Sequence, residues 1–153
     1  MTDARPHFSA VARQMLLHDS GGELSAAACA VSAASVLDRL QQRLAPLLGA
    51  AGMRALFARA VKVTLMEFTV LTRVRAATLD EKVNVGESLS EALNSLGSAA
   101  AWAAATALFA NFLEVTSSLI GERLVLVVLQ RAFGDISSVK DQDAVEGPVP
   151  GDA

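Results

Sequence analysis

The sequence predicts an all-α protein: a helical bundle of about six helices built on two quasi-repeated antiparallel helical hairpins. Three observations predict it. Leu47-Leu48-Gly49 recurs 72 positions later as Leu119-Ile120-Gly121, and ten residues past each glycine stands the same dipeptide, Arg59-Ala60 and Arg131-Ala132. Apolar residues recur at intervals of three and four along most of the chain, which is the period of a helix face. Alanine, the residue with the best helix propensity, dominates the segments ahead of both glycines. The register runs without a gap from 25–61 to 97–133, and seven of the 37 pairs are identical. Alanine bias could supply three of those seven, so two unrelated Ala-rich hairpins are the competing explanation.

A chain of 153 residues is one domain by size, with room for a sizeable core. We expect a single helical domain over 1–134 and a disordered acidic tail over 135–153. The tail holds five acids, one lysine, two prolines and two glycines, with little bulky apolar content. Apolar residues make up 52% of the chain and charged residues 19%, with six Phe, one Trp and no Tyr. Core volume must therefore come from closely packed Ala, Leu and Val. A net charge of −3 points to neither nucleic acid nor an acidic partner. The single cysteine, Cys29, excludes an internal disulfide and a cysteine-based zinc site. No signal-like run follows Asp3 and Arg5, and the expected location is the cytoplasm. The uncharged stretch 92–113 has the length of a membrane span, but Asn94, Ser95, Gly97, Ser98, Thr106 and Asn111 interrupt it. The expectation is a buried helix in a water-soluble bundle.

Taken in order, Pro6 suits a first helical turn, and Phe8, Val11, Ala12, Met15 and Leu16 then share one face. A second helix is expected over 23–45, ended by Pro46, with a turn through Gly49 to Gly52 reversing the chain. A third is expected over 52–76, although the alternation at Val61-Lys62-Val63-Thr64-Leu65 also fits a strand. Ser88-Leu89-Ser90-Glu91 reads as a capping box opening a short helix that Gly97 stops. A fifth helix follows Ser98 to about Thr116. A sixth covers 119–133 and is apolar nearly all round through Leu124, Val125, Leu126, Val127, Val128 and Leu129. Six consecutive aliphatics also fit a buried strand, but the Arg59/Arg131 alignment favours a helix, which Gly134 stops.

No motif specifies an activity. His7 and His18 lie about three helical turns apart, roughly 16 Å, too far to share a metal. Cys29 sits among alanines with no neighbouring cation to lower its pKa. Glu67 interrupts the apolar middle of the third expected helix and is the leading candidate for a buried functional carboxylate, with Lys62, Arg73 or Arg75 on the same helix, or Arg59 or Arg131, as partners; a structural ion pair or a plain surface residue is the competing reading. Glu114, near Asn111, is the second. Phosphate loops, GxSxG, HExxH and DxDxDG are absent from the sequence. Residues 39–75 hold seven basic side chains against one acid, and 76–122 hold six acids against Lys82. Such halves can attract each other or a second copy.

The leading expectation is therefore a non-enzymatic interaction or regulatory module that homodimerises or docks on a protein partner. The apolar stripe Val63, Met66, Val70 and Val74, with Leu126 and Val127, would form the interface. A second reading is a bundle that encloses a small apolar ligand or lipid near Phe57, Phe68, Trp102 and Phe109. A third is a membrane-associated bundle. No cofactor or metal is expected, and nothing in the sequence argues for a nucleic-acid partner.

Overall fold

The computed structural model describes residues 6–134; the acidic tail and the His7 side chain lie outside the described residues. Six α-helices and one 3-10 turn (Thr69–Leu71) make up the fold, with no strand among the described residues. They are α1 (Pro6–Ser20), α2 (Ala26–Leu65), α3 (Thr72–Thr78), α4 (Val85–Asn94), α5 (Ser98–Ile120) and α6 (Glu122–Phe133). Both strand alternatives, at 61–65 and at 124–129, are helix.

The predicted face of α1 is its buried face: Phe8, Val11, Ala12, Met15 and Leu16 are all in the core. Polar contacts fix α1 on the first half of α2. The Ser32 hydroxyl donates to the Leu16 carbonyl at 2.5 Å, and the Asp19 carboxylate receives Ser35 at 2.5 Å and Arg39 at 3.3 Å.

Helix α2 corrects the expectation of two helices separated by a four-residue turn. It runs through Pro46 and is interrupted only at Gly49, whose φ of 80° and ψ of 155° leave helical space for one residue. Proline removes the hydrogen bond to the carbonyl four residues earlier. That carbonyl belongs to Gln42, which is exposed, as is Pro46, so water can replace the lost bond. The two arms of α2 are thus 26–48 and 50–65. The second arm ends earlier than expected. The chain leaves helical space at Phe68 (φ −127°, ψ 88°) and turns through Thr69–Leu71, where β-branched Thr69, Val70 and Thr72 weaken helix formation. The stripe Val63, Met66, Val70, Val74 therefore does not lie on one helix.

The Arg54 guanidinium joins the second arm to the end of α3. It donates to the carbonyls of Thr78 (3.0 Å), Ala77 (2.9 Å) and Asp80 (2.8 Å), where the chain leaves α3. Arg54→Ala should lower the unfolding free energy by about 1.5–3 kcal/mol, the range for hydrogen bonds to a charged group. Urea unfolding measures it, and a loss below about 0.5 kcal/mol would mean these bonds are exchanged for water at no cost.

Helix α4 begins three residues before the predicted capping box. Asn84 caps it by accepting from the Glu87 amide at 2.9 Å, and Ser88 is buried inside the helix. Asn84 and Glu87 stand at the same spacing as Ser88 and Glu91, so sequence alone could not separate the two frames. Ser95 to Gly97 then break the chain, so the uncharged stretch 92–113 is not one helix. Glycine at 97 is the N-cap of α5.

The centre of the bundle is α5, which lies against α1, α2, α4 and α6. Its alanines allow this: Ala101, Ala104, Ala105 and Ala110 are buried between Trp102, Leu108, Phe109, Phe112 and Leu113. Helix α6 is not central, contrary to its all-apolar sequence. It buries one face (Val125, Val128, Leu129, Phe133), while Leu124 and Val127 are exposed and Leu126 is half-buried.

At two pairs of positions 72 residues apart the backbone angles are similar. Ser25 and Gly97 cap α2 and α5 at φ/ψ of −70°/161° and −71°/166°. Gly49 and Gly121 break them at 80°/155° and 97°/144°. Along the aligned segments, buried positions of one copy are buried or half-buried in the other, except that Asp38 is exposed where Ala110 is buried. Phe57 of the second arm stacks edge-on against Phe112 of α5 (centroids 6.1 Å apart), and Arg39 of the first arm lies 5.4 Å over the Phe133 ring of α6.

Candidate functional site

Two open grooves flank α5, and between them they gather Arg59, Val63, Glu67, Trp102 and Glu114 of the candidate residues. The first lies between the second arm of α2 and the C-terminal half of α5 and has a volume of about 430 Å³. Leu56, Arg59 and Val63 form one wall; Asn111, Glu114, Val115 and Leu119 line the other. The helical spacing of Arg59 and Val63, and of Asn111, Val115 and Leu119, puts each set on one helix face. Beneath them the walls are locked together: Asn111 Nδ2 donates to Thr64 Oγ1 (2.9 Å), which itself donates to the Ala60 carbonyl (2.7 Å). Val63 is 45% exposed and Leu119 62%, high values for aliphatic side chains flanking a groove. Arg59, Val63 and Glu114, separated in the sequence, are thus brought together.

The second groove holds about 690 Å³ and lies over the N-terminal half of α5. Its floor is Ala99, Trp102, Ala103 and Thr106; Ser9 and Arg13 of α1 line one side, and Glu67 and Phe68 another. Trp102 is almost fully buried, and its indole N–H donates to the Leu24 carbonyl at 2.8 Å. The Arg13 guanidinium sits 5.9 Å from the centre of the Trp102 ring, a cation–π arrangement.

Several sequence expectations are corrected here. Glu67 is not a buried carboxylate on a helix. Because α2 ends at Leu65, Glu67 is exposed, and among the described residues neither Arg59 nor Arg131 pairs with it. Arg131 is exposed on α6, away from the other candidates' grooves. Val74 is fully buried and so is not free to meet a partner; Val70 is half-buried against the core, and Val63 and Met66 are exposed. Phe57 and Phe109 belong to the core, and only Phe68 and Trp102 of the four aromatics reach a groove. Arg73 and Glu91, one from each oppositely charged half, approach to 3.8 Å at the surface, a contact of little energetic weight. Sequence reasoning missed Arg13, because its partner Trp102 is 89 positions away and no local pattern connects them.

Cys29 is buried, and loss of solvation pushes its thiol up from 9.0 to about 11, so little thiolate is present at neutral pH. Among the described residues, no group of three His, Cys, Asp or Glu comes together to hold a metal. Two helices, Ala26–Leu65 and Ser98–Ile120, are long and apolar enough to cross a membrane, a test that core helices of soluble bundles also pass. Comparison with protein-family models, curated proteins and solved structures finds no match to this chain.

Proposed function

We propose that the protein is a non-enzymatic helical interaction module that pairs with a second copy of itself through the groove between α2 and α5. One observation carries the reading: exposed Val63 and Leu119 flank the groove together with Leu56 and Val115, with Arg59 on one wall and Glu114 on the other. Apolar side chains rimmed by charge are the composition of a docking surface. The charge pattern favours a copy of the same chain. A two-fold axis through the groove sets the basic wall of one protomer against the acidic wall of the other, twice. Met66, 87% exposed just beyond Val63, extends the apolar strip.

The 72-residue offset belongs to the same reading. We infer that the chain is a duplication of one helix–glycine–helix unit, supported by the matched caps, matched glycines and matched burial. In that case the α2–α5 groove is where the short arm of the first unit lies on the long helix of the second.

Light scattering of variants tests the pairing. Leu119→Glu and Val63→Glu introduce a charge at exposed positions, so helicity by circular dichroism should be unchanged. Association should weaken by at least about tenfold for either variant. Variants that keep the mass of the wild type at every concentration would overturn the reading.

A further inference from the structure

The groove over the N-terminal half of α5 holds two opposite charges, neither of which takes part in an ion pair among the described residues. Arg13 stands on the α1 side and Glu67 on the side where the chain leaves α2. Both side chains are exposed. The surface beside them is apolar: the small side chains of Ala99 and Ala103, the Trp102 ring and Phe68. Arg13 is held in place by the Trp102 ring beneath it, and Trp102 is held by its bond to the Leu24 carbonyl. The guanidinium thus stands beside an aromatic ring at the mouth of the groove, where an anion can reach it. About 690 Å³ is within the range of small-molecule sites.

We propose that this groove binds a small zwitterionic ligand with an apolar middle. Its carboxylate or phosphate meets the Arg13 guanidinium, its ammonium meets the Glu67 carboxylate, and its methylene body lies on Ala103, Trp102 and Phe68. A purely apolar ligand would leave both charges unused. A ligand of one charge would use only one wall. The site is independent of the α2–α5 groove, so either can fail without the other.

Trp102 is the only tryptophan and the chain has no tyrosine, so intrinsic emission reports on this groove alone. The probes are 6-aminohexanoate, 8-aminooctanoate and 12-aminododecanoate, with octanoate and octylamine as single-charge controls. At least one amino acid of the series should change Trp102 emission saturably, and octanoate and octylamine should each bind about tenfold more weakly than 8-aminooctanoate. Arg13→Gln and Glu67→Gln should each weaken the zwitterion by a similar factor. The double variant Arg13→Glu with Glu67→Arg, which keeps both charges in exchanged places, should recover part of the binding. Emission that does not saturate with any amino acid up to about 10 mM would overturn the proposal. So would equal affinity of the zwitterion for the wild type and both Gln variants.

Discussion

Phe112→Ala is expected to lower the unfolding free energy by about 3–5 kcal/mol, the usual cost of emptying a fully buried aromatic site. Phe112 has no exposed surface and sits on α5, the helix that every long element packs against. Its ring meets Phe57 edge-on, with the planes at 62°, and Phe57 belongs to the second arm of α2. The neighbouring Asn111–Thr64 bond ties the same two elements. Truncation therefore removes both the aromatic pair and the apolar anchor of the arm. Native stabilities of about 5–15 kcal/mol leave little margin for such a loss. Chemical unfolding followed by circular dichroism measures it. A loss below about 1.5 kcal/mol, in the range of a tolerated repacking, would show that the arm is not docked on α5 as described.

Gly49→Ala and Gly121→Ala should each cost about 1–3 kcal/mol, by backbone strain rather than by collision. No atom lies within 4 Å of a Cβ at either position, yet both residues sit at positive φ with extended ψ, a region that essentially only glycine enters. Gly97 is the control. It has φ −71° and equally open space, so Gly97→Ala carries no backbone strain and should cost less, no more than about 1 kcal/mol, because alanine caps a helix less well than glycine. Thermal unfolding of the three variants separates strain from crowding. Equal effects at 49 and 97 would remove the conformational explanation.

Much of the fold was legible because it is written in local terms. Helical periodicity gave the face of α1, alanine content gave α5, and the recurring glycines marked where both long helices break. The errors also have local causes. Pro46 suggested a helix end, but its lost bond falls on the solvent side. Asn84 and Ser88 offer equivalent capping frames, and burial decides between them. The aliphatic run 124–129 reads as apolar nearly all round, yet it buries one face and leaves Leu124 and Val127 exposed. The bundle is instead centred on α5, because small side chains let neighbours approach from several sides.

The candidate sites were legible only as ingredients. Arg59, Val63, Glu67, Glu114 and Trp102 all line grooves, but their neighbours lie 47 to 89 residues away, as in Asn111–Thr64 and Arg13–Trp102. Such contacts have no period. The reading of Glu67 as a buried carboxylate rested on a helix continuing past Leu65; the helix ends there, and Glu67 is the surface residue of the competing reading. The choice of Val74 as interface failed for the same reason: the chain bends there and takes Val74 inside.

Self-association is the claim on which the functional account rests, and the mass of the wild-type chain in solution tests it most directly. Sedimentation equilibrium over roughly 1–100 µM, a span that resolves dissociation constants in the micromolar range, should give a mass that rises toward twice the 15.9 kDa of one chain. A mass that stays at 15.9 kDa across the whole range would contradict it.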